Sequence, residues 1–189
     1  MTGIGEVVPQ RSATNDAAAD VLRSHVRDIP DWPQPGVVFK DITPLLSSPT
    51  AFGVVIGAIA DIARERGATT IAGIEARGFL LAAPVADRIG AALVPIRKKG
   101  KLPGPIRSAT YDLEYGSATI EIHADAVPAG ERVLLVDDVL ATGGTAAAAH
   151  GLLVECGAEV VALTVLMELS FLPGRSRLGT LDIVPLLAI

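Results

Sequence analysis

Two adjacent carboxylates and a glycine pair share one short stretch, VLLVDDVLATGGT, running from Val133 to Thr145. Ionised carboxylates only accept hydrogen bonds, so Asp137 and Asp138 suit vicinal hydroxyls or the hydration shell of a metal ion. Gly143 and Gly144 let the backbone approach an anion closely, and Thr142 and Thr145 carry hydroxyl donors. Together with Ala141 they form a turn of phosphate size. A ribose 5-phosphate calls for both halves at once, acceptors for its hydroxyls and donors for its phosphate. Either half alone is a weak signal, because a strand end and a glycine turn need no ligand. Two acids following a buried strand are costly without a partner, which favours the joint reading. A nucleoside-triphosphate loop is disfavoured, since no lysine precedes Thr145.

Such a turn works where a strand delivers it to the N-terminus of a helix, with unpaired N–H groups and a positive dipole end. RVLLVDDV reads as a strand whose apolar part is 133–136, the loop spans 139–144, and a helix is expected from about Thr145. The surrounding chain alternates in the same way. TTIAGIE, AALVPIRK and EVVALTVLMEL read as further apolar strands, and GFLLAAPVADRIG and TAAAAHGLLVECGA as helices. Continuous apolar strands alternating with helices predict an α/β fold, a parallel sheet covered on both faces. Ligands of such sheets collect at the carboxyl ends of the strands.

Upstream, residues 1–25 read as a partly irregular leader with a helix near Ala17 to Arg27, and residues 26–189 as a single domain. DIPDWPQPGVVFKDITPLL holds four prolines and predicts an ordered, extended loop. Ser48-Pro49 reads as a helix start, Phe52, Val55, Ile56, Ile59, Ile62 and Ala63 keep helical spacing, and Gly67 is a natural stop. Between the second and third strands lies KKGKLPGPIRSATYDLEYGSATIEIHADAV, a basic, glycine- and proline-containing loop followed by a candidate antiparallel hairpin.

Composition narrows the function classes. Half of the 189 residues are hydrophobic and the formal net charge is −5, which argues against a broad nucleic-acid surface. One cysteine, Cys156, rules out a disulfide framework or a thiolate metal site and fits a reducing compartment. No apolar run suits a bilayer span and no signal-peptide core is evident, so a cytoplasmic location is expected. His25, His123 and His150 are isolated, without a second ligand at metal spacing.

VLLVDDVLATGGT resembles the phosphoribosyl-pyrophosphate signature of type I phosphoribosyltransferases. DIPDWPQPGVVFKDITPLL, GIEARGF, IRKKGKLPG, LEYG and EIHADA resemble, in order, segments of the adenine phosphoribosyltransferase family. The match covers the chain from about Val26 onward. The resemblance implies a type I phosphoribosyltransferase-like parallel sheet flanked by helices, with an inserted flexible hairpin flap. It also implies the reaction: adenine and 5-phosphoribosyl 1-pyrophosphate (PRPP) give AMP and pyrophosphate, a step of purine salvage.

The expected transition state resembles an oxocarbenium ion, so negative charge builds on the departing pyrophosphate and must be neutralised. Mg²⁺ is the expected cofactor, held mainly through the substrate rather than directly by the protein. Arg77 resembles a pyrophosphate-gripping residue, although a surface salt bridge is its plainer reading. The peptide near Glu75-Ala76-Arg77 is expected in a cis form. Arg97 and Lys101 resemble pyrophosphate contacts in a closing lid, against the alternative of a solvated basic loop. Glu114 resembles a flap glutamate that handles the proton on adenine or steadies the ribosyl cation, and Tyr115 either closes the lid or packs beneath it.

Val38 and Lys40 would lend backbone groups to the purine edge, while Phe39 either stacks on its face or packs ordinarily. Relatives often carry arginine at Lys40, and lysine lacks the planar fork, so recognition there rests on the backbone. The position before Thr142-Gly143 is Ala141, where 6-oxopurine enzymes place an acid, which favours adenine. A homodimer is expected, with the apolar face of FKDITPLL as a contact. The alternatives are a phosphoribosyltransferase for another base, such as xanthine, and a regulatory protein that retained the fold as a ligand sensor.

Overall fold

Buried strands at the centre of the chain have β-branched or leucine-rich runs on both faces, and they assemble into one twisted sheet. The computed structural model describes residues 13–112 and 116–189. The chain divides into two compact units, Met1–Val54 and Val55–Ile189.

In the first unit, helix α1 spans Ala13–His25 and buries Ala18, Ala19 and Leu22. It starts earlier than the sequence pattern predicts, and the alanine-rich run 17–19 lies inside it rather than at its start. Strand β1 (Arg27–Ile29) pairs antiparallel with β2 (Phe39–Asp41), Asp28 facing Lys40. The proline-rich stretch is therefore a short hairpin with a long connection, rather than simple extended loop. The short helix α2 (Thr43–Leu46) follows, with Pro44 in its first turn. Helix α3, Pro49–Glu65, starts as expected, Ser48 Oγ accepting the Ala51 N–H at 3.3 Å, and Gly67 sits in the left-handed region just beyond its end.

The second unit carries strands β3 (Thr70–Ile74), β4 (Ala92–Lys98), β5 (Ile106–Asp112), β6 (Ser117–His123), β7 (Arg132–Leu140), β8 (Glu159–Glu168) and β9 (Ile183–Ala188). Helix α4 (Arg77–Ile89) and helix α5 (Gly144–Glu155) connect them, with a 3₁₀ turn at Arg175–Leu178. The sheet order is β5-β6-β4-β3-β7-β8-β9. The five strands from β4 to β9 run parallel, and the β5–β6 hairpin joins antiparallel along β4 through Arg97↔Glu121 and Lys98↔Ile120. No strand is expected over Ile183–Ala188 from pattern alone, because Pro185 interrupts the run. The residue is accommodated because β9 lies at the sheet edge.

Alternation along the strands divides the core between two helices. Ala72, Ile74, Val133, Leu135, Leu163 and Val165 pack in one cluster with Ala146, Ala149, Leu152 and Leu153 of α5. The intervening position Gly73 faces α4, where a Cβ would stand 2.7 Å from that of Ala82. Among the described residues no helix is long and apolar enough to cross a membrane.

Candidate active site

The site is built at the carboxyl end of β7. The run RVLLVDDV predicts a strand through both acids, and β7 follows it and goes one residue further, to Leu140. Its extension is held by β8, which pairs Asp137 with Val165 and Leu140 with Glu168. On the other side β3 last pairs at Val136, and the chain there turns into α4. The acids therefore sit on a strand end that has lost one neighbour. Adjacent strand residues start toward opposite faces, yet the two carboxylates stay close enough for the Asp138 side chain to act on Asp137.

Asp138 turns toward α4 and is buried, its Oδ2 lying 2.7 Å from Arg77 Nε. That oxygen is enclosed and makes no well-aligned hydrogen bond among the described residues, so the contact with Arg77 is an ion pair. The helix can come this close because residue 78 is glycine: a Cβ there would stand 2.8 Å from the Val136 carbonyl oxygen and 3.3 Å from Asp137 Oδ1. The Glu75–Ala76 peptide that leads into α4 is cis, as the resemblance implies.

Asp137 lines a concave pocket of about 80 Å³ with Leu140, Ala141, Thr142, Gly143 and Thr145. Its Oδ1 accepts the Asp138 N–H at 2.9 Å. Burial pushes the Asp137 carboxyl well above its ordinary range and the neighbouring Asp138 charge adds to this, against the opposing pull of the Asp138 N–H and Arg77. Gly143 takes the left-handed conformation (φ 81°) as the N-cap of α5 and brings no capping side chain. The first-turn N–H groups and the dipole end of a twelve-residue helix thus face the pocket rim. The five turn residues singled out from sequence, Ala141 to Thr145, all line this one pocket.

The basic turn after β4 is tied down at several points. Glu75 accepts hydrogen bonds from Arg97 Nε (3.1 Å) and the Lys98 N–H (2.9 Å). Burial raises the Glu75 carboxyl, but the Lys98 N–H and the Arg97 guanidinium outweigh it and hold the group below its ordinary range. Arg97 also donates to the Lys101 carbonyl at 3.3 Å and lies 5.9 Å from the centre of the Phe79 ring. Buried Glu121 accepts the Gly100 N–H at 2.9 Å. Lys101 is exposed. Glu75 and Glu121 are supports that the sequence reading passed over; each lies beside or across from a residue it did name.

The hairpin arrives next to the phosphate-sized turn. At Gly144 a Cβ would stand 3.2 Å from Tyr111 and 3.3 Å from the Asp112 carbonyl. Glu114 and Tyr115 come between β5 and β6 in the sequence and lie outside the described residues.

In the first unit, Phe39 meets Trp32 edge-on, with ring centroids 4.4 Å apart, and Val38 is exposed. Lys40 reaches Asp28 with both carboxylate oxygens within 2.8 Å, so a point-charge pair forms where a planar fork was not available. Asp41 is held at a pKa of about 2 by the Thr43 hydroxyl, the Thr43 N–H and Arg27. Its folded value lies below the ordinary 3.8, so its contribution to stability is present above that pH and fades as pH falls toward 2. Asp41→Asn is accordingly expected to lower the melting temperature at pH 7. The gap to the unsubstituted protein should narrow as thermal melts are repeated from about pH 4 down toward pH 2.

Comparison with known proteins now bears on this geometry. A model of the phosphoribosyl transferase domain matches residues 41–176. An adenine phosphoribosyltransferase of Frankia alni is 82% identical over 189 residues, covering 100% of both chains. The chain belongs to the adenine phosphoribosyltransferase family. Among solved members of the adenine phosphoribosyltransferase family, that of Thermoanaerobacter pseudethanolicus superimposes with a TM-score of 0.88 at 46% identity, covering 90% of this chain and 99% of that one. The Saccharomyces cerevisiae enzyme, solved with D-2,5-dideoxy-2,5-imino-altritol 1,6-bisphosphate and adenine, gives 0.87 at 39% identity, with 90% and 99% covered.

Proposed function

We propose that this protein transfers the phosphoribosyl group of PRPP to adenine, forming AMP and pyrophosphate in purine salvage. The observation that carries the reading is the β7–α5 connection of a family member: paired acids on a strand end, then a turn opening onto a helix N-terminus. In this reading the 5-phosphate occupies the pocket of Ala141 to Thr145, bound by backbone N–H groups and the Thr142 and Thr145 hydroxyls. The ribose hydroxyls donate to Asp137 and Asp138.

Displacement breaks the bond from the anomeric carbon to pyrophosphate and forms one to a ring nitrogen of adenine, which gives up its proton. Arg77, Arg97 and Lys101 supply positive charge toward the pyrophosphate as it leaves. Arg77 is oriented by Asp138 and Arg97 by Glu75, so neither has to be ordered at the moment of reaction. Val38 and Lys40 present backbone groups to the purine, and Phe39 its ring. Glu114 takes the purine proton or steadies the ribosyl cation, with Tyr115 closing over the site.

Mg²⁺ fits this residue set as a guest of the substrate. The strand end offers Asp137 and Asp138, whose mutual repulsion favours a nearby cation. Among the described residues no three His, Cys, Asp or Glu side chains gather as a full ligand set. Pyrophosphate oxygens and water would complete its shell, and the ion would neutralise charge on the leaving group.

A cytoplasmic homodimer completes the proposal. Ile42 and Leu45 are already buried within one copy, so Pro44 and Leu46 are what FKDITPLL leaves for a contact.

Nucleotide formation from each purine base in turn, with PRPP and Mg²⁺, tests the assignment. Turnover of xanthine or hypoxanthine without turnover of adenine would overturn it. The role of Glu114 has its own check. Glu114→Gln is expected to reduce kcat by on the order of 100-fold with substrate KM values little changed, as steady-state kinetics would show. A raised KM with kcat intact would make it a binding residue instead.

A further inference from the structure

The segment after β8 forms the back wall of the phosphate-sized turn, although it contributes nothing to the pocket lining. Two glycines meet there. A Cβ on Gly143 would overlap the Gly174 carbonyl oxygen and stand 3.0 Å from Gly174 Cα. A Cβ on Gly174 would overlap the Ala141 carbonyl oxygen and stand 3.1 Å from Leu140 Cγ. The turn therefore rests on the backbone of residue 174, without a side chain between them.

What holds Gly174 is a forked ion pair. Glu168, at the buried end of β8, accepts Arg175 Nε at 2.9 Å on one oxygen and Arg175 Nη2 at 2.6 Å on the other. The intervening residues are pinned at their start: the Leu169 N–H donates to the Leu140 carbonyl, and the Ser170 N–H to that of Ile189. Leu178, at the end of the 3₁₀ turn, is buried in the core beside α5. The Arg175 side chain is 53% exposed, so the pair adds little to stability, whereas its two parallel bonds set one geometry.

We infer that Glu168 and Arg175 are positioning residues for the 5-phosphate of PRPP, acting through Gly174 on the turn from Ala141 to Thr145. The inference rests on the proposed placement of the phosphate in that turn. Loosening the pair lets the back wall shift and the turn with it, so the N–H groups and hydroxyls that face the phosphate meet it in poorer geometry.

The test measures KM for PRPP, KM for adenine and melting temperature in Arg175→Gln, Arg175→Lys, Gly174→Ala and Thr145→Ala. Arg175→Gln is expected to raise the PRPP KM about tenfold and Gly174→Ala more, with adenine KM within about twofold. Arg175→Lys, which keeps the charge and loses the fork, should fall between Arg175→Gln and the unsubstituted protein. Melting temperatures of the arginine variants should stay close to the starting value. An unchanged PRPP KM in Arg175→Gln, while Thr145→Ala raises it, would overturn the positioning role alone. No effect of Thr145→Ala would overturn the phosphate placement and this inference with it. Equal losses for both substrates alongside a depressed melting temperature would mark the pair as merely structural, which also overturns it.

Discussion

Gly143→Ala is expected to raise the KM for PRPP by on the order of 100-fold or more while leaving the sheet folded. Two separate costs coincide at this position. The residue sits at φ 81°, where an L side chain is strained, and its Cβ would enter the space of the Gly174 carbonyl. Either the turn moves off its back wall or the wall retreats, and both outcomes spoil the pocket at the N-terminus of α5. Gly90→Ala provides the comparison, since it shares the positive φ but has open space around the added carbon. That variant should lose about 1 kcal/mol of stability with both KM values unchanged. Denaturant unfolding alongside steady-state kinetics separates the two. A normal PRPP KM in Gly143→Ala would show that the turn does not hold the phosphate.

Asp138→Asn is expected to lower kcat/KM for PRPP by about 100-fold, or roughly 2–3 kcal/mol. The substitution keeps the side chain's shape, removes its charge and turns one acceptor oxygen into an NH₂ donor. Arg77 then loses the carboxylate that aims it, and the ribose loses a charged acceptor. Because Arg77 is itself partly exposed, the effect falls short of that of breaking a fully buried pair. A second consequence is specific to the pairing. The Asp138 charge is one of the causes that raise Asp137, so its removal should let Asp137 ionise at lower pH. The pH below which PRPP binding weakens should move downward in Asp138→Asn, read from the pH profile of kcat/KM. A profile that does not move, with activity intact, would remove both acids from the ribose site.

Much of this site was legible in the residues themselves. The joint pattern of acids, glycines and threonines marks a strand-to-helix connection with one kind of ligand, and all five turn residues line one pocket. Where pattern reading stopped short, the reasons are tertiary. The strand reaches Leu140, one residue past the expected RVLLVDDV, because the long neighbour β8 continues to supply hydrogen-bond partners. No local pattern marks Glu168, because its partner Arg175 lies beyond a break in regular structure. Gly174 gave no signal, since its role depends on the approach of another glycine from a different loop. β9 was missed for a different reason: Pro185 is disfavoured in strands generally but tolerated at an edge.

Base choice rests on the least direct argument, a missing acid at Ala141 together with the segment around Phe39, so the competition between bases is the most searching measurement. An equimolar mixture of adenine, hypoxanthine, guanine and xanthine, incubated with the protein, PRPP and Mg²⁺, can be resolved by mass spectrometry of the nucleotides formed. AMP as the dominant product, with one pyrophosphate released for each AMP, is the expected result. IMP, GMP or XMP forming in place of AMP, or pyrophosphate released without any nucleotide, would contradict the account.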